Sequence, residues 1–248
     1  MPLRTEGPIL FLMRISTFLD EFSWIEAALG ELSAASEKAR AEGRSSIALC
    51  LSGGLTPVSV YRAMAALPLE DLAVDLWLGD ERVVPTGDPA RNGTMVERAF
   101  ADCVWKPLPR LRLWPDAETA AEAGSASSRY DAALLAALGA RPSFDLAIMG
   151  LGADGHTASI FPHSPLLDEP SDSSGRPFLA LVARSPIAPF DRMSLTLAAL
   201  KAARRRIFLV KGADKLPALR RLEAEDPSIP ASRLAGPGAL VLYFGSSG

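Results

Sequence analysis

Between Phe144 and Pro162 the chain reads F-D-L-A-I-M-G-L-G-A-D-G-H-T-A-S-I-F-P, with Asp154 and His156 two residues apart in a glycine-rich stretch. Imidazole is the side chain whose ordinary titration lies nearest neutrality, so His156 is the natural candidate for moving protons. Leu146 to Met149 form a short apolar run that reads as a buried strand, and the glycines after it read as a loop. In open α/β sheets ligands sit beyond the carboxyl ends of the strands, which is where this order of residues places His156. The alternative is a structural histidine held by hydrogen bonds; its place after an Asp-Gly turn at a strand end favours function.

Gly150, Gly152 and Gly155 also spell G-x-G-x-x-G, the dinucleotide fingerprint. That fingerprint needs a full helix and a second strand to follow, and Pro162, Pro165 and Pro170 interrupt the segment where the helix would run.

A second constellation begins at Ser46. The apolar run S-I-A-L-C-L leads directly into Ser52-Gly53-Gly54-Leu55-Thr56-Pro57 and then into a helical pattern through Tyr61 and Met64. The first amides of a helix lack internal partners and carry the positive end of its dipole, an arrangement that favours phosphate. Gly53 and Gly54 permit close backbone approach, Thr56 can cap or donate its hydroxyl, and Pro57 suits the first helical turn. There is no G-x-x-x-x-G-K-[ST], so a nucleotide triphosphate site is not implied. A third strand end carries Asp80, Glu81 and Arg82, either a solvated corner or part of the same edge.

Strand and helix patterns alternate along the remainder. Helices are expected over 17–40, from about 93 to 100 and over 117–138, and strands at 74–78, 111–114, 178–183, 206–210 and 239–244. Residues 164–177 should form an irregular connection. This predicts an α/β protein, a Rossmann-like three-layer α/β/α arrangement with a mostly parallel sheet, in one domain spanning 1–248.

Of the 248 residues, 48% are hydrophobic and 22% charged, which argues against disorder and coiled coil. The net charge of −3, from 26 basic and 29 acidic residues, leaves no footprint for nucleic acid, so an anionic ligand must find local basic groups. Two cysteines without C-x-x-C spacing suggest neither a disulfide framework nor a zinc site. The apolar stretch Ile9 to Met13 is too short for a membrane span and lacks a cleavage pattern, which leads to the expectation of a cytoplasmic protein without membrane partners.

Together these segments resemble the 6-phosphogluconolactonase family, which shares its fold with glucosamine-6-phosphate deaminases. The matching residues are S-G-G-L-T-P at 52–57, W-L-G-D-E-R-V-V-P at 77–85 with Asn92 beyond, and G-L-G-A-D-G-H-T-A-S-I-F-P at 150–162. R-M-S-L-T-L at 192–197, G-A-D-K at 212–215 and Pro230 to Arg233 extend the match over nearly the whole chain. The resemblance implies hydrolysis of 6-phospho-D-glucono-1,5-lactone, with no cofactor and no metal. His156 would be the general base, Arg82 or loop amides would stabilise the oxyanion, Asp80 would meet sugar hydroxyls or orient His156, and Asp154 would orient the loop. Phosphate would rest on Gly53, Gly54 and Thr56, with charge from Arg192 and Lys215. Glu81 has no role in this scheme. Family members often carry a lysine in the proline-rich loop before the arginine, where this chain reads R-S-P-I-A-P-F, so either Arg184 substitutes for it or that contact is absent; Arg91 stands where a serine is common.

Two rival functions follow. Deaminases of the related family use an acidic residue five positions after the histidine, where this chain has Phe161. A sugar-phosphate sensor would keep the cradle without catalysis, but it ordinarily brings a DNA-binding or partner segment that is not evident here.

Overall fold

The computed structural model describes residues 13–139 and 142–245. Residues 9–12 of the apolar stretch near the start of the chain lie outside the described residues.

In chain order the elements are β1 (Arg14–Phe18), α1 (Glu21–Ala41), β2 (Ser46–Leu51), α2 (Val58–Ala66), β3 (Ala73–Leu78), β4 (Asp80–Arg82), α3 (Asn92–Ala99) and β5 (Arg110–Arg112). There follow α4 (Ala120–Leu138), β6 (Leu146–Gly150), β7 (Ala180–Arg184), β8 (Asp191–Leu195), α5 (Leu197–Lys201), β9 (Arg206–Lys211), α6 (Leu216–Glu223) and β10 (Ala239–Phe244). Seven strands form a parallel sheet in the order β1-β10-β9-β6-β2-β3-β5, flanked by helices. The α/β class and the mostly parallel sheet agree with the sequence. Strands β2, β6 and β9 lie side by side at its centre, so their carboxyl ends place the loops after Leu51, Gly150 and Lys211 next to one another.

The first helix starts later than the periodicity suggests. Thr17 and Phe18 pair with Tyr243 and Phe244 in the sheet, and Asp20 caps α1 by accepting from the Ser23 N–H at 2.7 Å. Phe22, on the expected apolar stripe, is exposed, whereas Trp24 is fully buried and donates its indole N–H to the Leu242 carbonyl. Ala28, Leu32 and Ala35 of the expected stripe are buried, so the stripe holds once past the first turn of α1.

A second sheet, β4-β8-β7, is antiparallel and short. It was not legible as such: β4 has only three residues, all charged, and β8 is not among the strands expected from the sequence. Residues Asp80 to Arg82 pair there with Ser194 to Arg192, so the strand end after β3 is turned onto a second sheet.

The carboxyl end of β3 is fixed from the core. Trp114 and Tyr130 stack with ring centroids 3.9 Å apart, and both reach the last residue of the strand. The Trp114 indole N–H donates to the Leu78 carbonyl at 3.1 Å, and the Leu78 N–H donates to the Tyr130 hydroxyl at 2.9 Å. These buried bonds hold the backbone two residues before Asp80. No helix among the described residues is long and apolar enough to cross a membrane.

Candidate active site

His156 is set by its own loop. The Gly152 N–H donates to the His156 carbonyl and the Gly155 N–H to the Gly152 carbonyl, each at 2.9 Å, closing a tight turn after β6. Asp154 Oδ1 accepts the His156 backbone N–H at 3.1 Å and lies 2.6 Å from His156 Nδ1. A side chain at Gly152 would place its Cβ 2.0 Å from that Nδ1, so the imidazole occupies the space a glycine leaves. Gly155 has φ +85° and packs on Ile229, while its carbonyl accepts from the Ala231 N–H at 3.0 Å. The Pro230 to Arg233 match near the end of the chain is thus a brace for the histidine loop.

Burial pushes the Asp154 carboxyl up, but the backbone N–H, the charge and the ring N–H of His156 together hold it below its ordinary value. An ionised carboxylate can only accept, so Nδ1 carries the proton and Nε2 keeps its lone pair. No protein group among the described residues engages Nε2. Asp154, not Asp80, is the carboxylate that meets the imidazole.

Asp80 is held elsewhere. Its Oδ2 accepts from the Ser159 hydroxyl at 2.6 Å and its Oδ1 from Asn92 Nδ2 at 3.1 Å, while the same amide nitrogen donates to the Asp80 carbonyl at 2.9 Å. Asn92 also lies against the cradle, where a Cβ on Gly53 would fall 2.0 Å from its Oδ1. That contact joins the loop after β2 to the loop after β3 and explains why Gly53 carries no side chain.

Glu81 has a role that sequence reasoning missed. Fully buried, it accepts from the N–H groups of Arg82, Asn92 and Gly93 at 2.7 to 2.8 Å, and the last two are the first amides of α3. Burial raises its carboxyl above the ordinary range despite these donors. Arg91 lies behind it at 3.8 Å, is itself buried, and pairs with Asp116 at 3.1 Å, which makes it part of the support for α3.

In the cradle, none of the backbone N–H groups of Gly53, Gly54 or Thr56 has an acceptor among the described residues. Gly54 has φ +85°, the conformation that turns the chain into α2. Two details differ from expectation: Pro57 stands at the cap position and not inside the helix, and Thr56 makes no capping bond, so its hydroxyl stays available.

Gly53, Gly54, Thr56, Asp80, Arg82, His156 and Lys215 line one cleft of about 250 Å³. Asn92, Thr157 and Lys211 join them there; the Thr157 hydroxyl is buried without a partner. Lys211 also pairs with Glu21 at 3.0 Å and Lys215 with the exposed Asp214 at 3.2 Å. Arg82 donates through Nη1 to the Ala90 carbonyl. Lys211 follows from its place at the end of β9, a signal available in the sequence once the strand order is known.

Arg192 stands apart. It is the cross-strand partner of Arg82 but lines an adjoining cavity of about 740 Å³, shared with Asp154 and Phe161. Arg184 lines that cavity too, with its guanidinium paired to Asp191 at 3.0 Å. Among the described residues no cluster of three or more His, Cys, Asp or Glu side chains is placed to hold a metal ion.

A family model described as glucosamine-6-phosphate isomerases/6-phosphogluconolactonase matches residues 20–242. The chain is similar to the 6-phosphogluconolactonase of Synechocystis sp., at 35% identity over 92% of this chain and 93% of that protein. It is also similar to that of Streptomyces coelicolor, at 36% identity over 71% of this chain and 70% of that one. The crystal structure of 6-phosphogluconolactonase from Leishmania guyanensis superposes with a TM-score of 0.77 at 27% identity, covering 94% of this chain and 96% of that one. With the histidine loop, the cradle and the lysine-bearing turn in one cleft, and with matches along nearly its full length, the chain belongs to the glucosamine-6-phosphate isomerase/6-phosphogluconolactonase family.

Proposed function

We propose that this chain hydrolyses 6-phospho-D-glucono-1,5-lactone to 6-phospho-D-gluconate, with His156 as the general base. The observation that carries the mechanism is the 2.6 Å contact of Asp154 with Nδ1, which leaves the Nε2 lone pair free on a histidine that lines the cleft. A lactone is an activated ester, so water needs a positioned base and no covalent enzyme nucleophile. Nε2 takes a proton from water as its oxygen attacks the C1 carbonyl. The tetrahedral intermediate then collapses with cleavage of the bond from C1 to the ring oxygen, which receives the proton from the imidazolium. Asp154 stabilises the charged ring between these steps.

Arg82, steadied through one nitrogen by Ala90, keeps its remaining N–H groups for the carbonyl oxygen. Asp80, both of whose carboxylate oxygens are already anchored, accepts from a sugar hydroxyl. The unengaged amides of Gly53 and Gly54 receive the phosphate, with the Thr56 hydroxyl, Lys211 and Lys215 around it.

Phe161 decides against amino-sugar deamination. Its ring centroid is 4.5 Å from that of His156, so an apolar face lies where a carboxylate would be needed to relay protons in ring opening. Incubation with 6-phosphogluconolactone should release acid far faster than buffer, and incubation with glucosamine 6-phosphate should release no ammonia. Ammonia release without lactone opening would reverse the assignment.

A further inference from the structure

Glu21 stands in the first turn of α1 and does not line the cleft, yet one of its oxygens reaches two elements that build it. Its Oε1 accepts from the Ser59 hydroxyl at 2.8 Å and from Lys211 Nζ at 3.0 Å. Ser59 is the second residue of α2, the helix that the cradle leads into, and Lys211 ends β9 on the cleft wall. The Lys211 bond first, and the Ser59 bond second, hold the Glu21 carboxyl below its ordinary value, so it is ionised at neutral pH.

A lysine carries its charge on a flexible stem, and ordering that stem weakens whatever contact the ammonium makes. Lys211 is ordered in advance. Its Nζ lies 5.2 Å from the centroid of the Phe244 ring, and Glu21 takes one of its three N–H groups, which leaves two for an anion. Lys215, by contrast, pairs with the exposed side chain next to it in the chain, Asp214. Glu21 also repels an anion, but its side chain and that of Lys211 are each 40% exposed, so solvent and salt screen this repulsion and the ordering of the lysine outweighs it. We propose that Glu21, braced by Ser59, is a positioning residue that acts through Lys211 to set the preference for the phosphorylated lactone over the free one, a role that rests on the lactonase reading for the identity of its substrate.

The test measures KM and kcat on 6-phosphogluconolactone and on glucono-1,5-lactone for Glu21→Ala, Glu21→Gln, Lys211→Ala and the double variant Glu21→Ala/Lys211→Ala. Loss of the anchor should raise KM for the phosphorylated lactone roughly three- to tenfold, the effect of having to order one free side chain on binding, with kcat little changed. Glu21→Gln keeps an acceptor oxygen without the charge and should fall between Glu21→Ala and wild type. Hydrolysis of the unphosphorylated lactone should be unaffected by Glu21→Ala, and in the Lys211→Ala background Glu21→Ala should raise KM no further. An unchanged KM in Glu21→Ala, equal losses on both lactones, or the same loss repeated in the Lys211→Ala background would each overturn the role. A lowered KM would overturn it too, because Glu21 would then be competing with the phosphate for Lys211. Calorimetric binding of 6-phosphogluconate makes the same comparison without turnover. Failure of the wild type to open the lactone would therefore strike the lactonase reading, whereas wild-type affinity for 6-phosphogluconate in Glu21→Ala would strike this one.

Discussion

Asp154 Oδ1 stands 2.6 Å from His156 Nδ1 and also accepts the backbone N–H of the same histidine, so one carboxylate oxygen fixes both the loop and the tautomer of the ring. In Asp154→Asn the pairing with Nδ1 is lost, and kcat should fall about a hundredfold, a size usual for disturbed general-base catalysis, while KM changes little. An unchanged kcat would mean that the pairing does not operate during turnover.

Gly152 tests the same geometry without touching a charge. Its substitution by Ala puts a methyl group 2.0 Å from the ring nitrogen, which only displacement of the imidazole relieves. Turnover of Gly152→Ala should drop about a hundredfold while the thermal transition moves little. A fully active variant would show that the ring is not held where the structure puts it.

The central loop, the cradle and the alternation of strands and helices were legible because each is local: an apolar run, then glycines, then a polar or helical segment. What escaped the sequence depends on partners distant in the chain. Strand β1 exists through pairing with β10, and β4 through pairing with β8, neither of which periodicity over a few residues can reveal. Asp80 reads in sequence as a candidate to orient His156 and Asp154 as one to orient the loop, and only the loop closure between Gly152 and His156 brings Asp154 onto the ring. Glu81 looked like a charged corner because its donors arrive from a helix eleven residues later.

Glu81→Gln replaces one acceptor with an amide NH₂ that faces N–H groups. With buried donors left unsatisfied, stability should fall by about 1–3 kcal/mol. Urea unfolding should show a lower midpoint with an unchanged slope. An unchanged midpoint would remove Glu81 as the clamp on α3.

Lys215→Ala should raise KM for the phosphorylated lactone about tenfold or more and change kcat little, as expected for loss of a charge on a phosphate remote from the reacting carbon. Glucono-1,5-lactone without the phosphate should be hydrolysed equally by variant and wild type. Equal losses on both substrates would move Lys215 away from the phosphate.

The base assignment is tested most directly by opening of freshly generated 6-phosphogluconolactone at mildly acidic pH, where the spontaneous reaction is slow, with wild type and His156→Asn side by side. Rapid acid release by the wild type is expected, with a loss of about a hundredfold or more in the variant and 6-phosphogluconate still bound. Near-normal turnover by His156→Asn would remove His156 as the base.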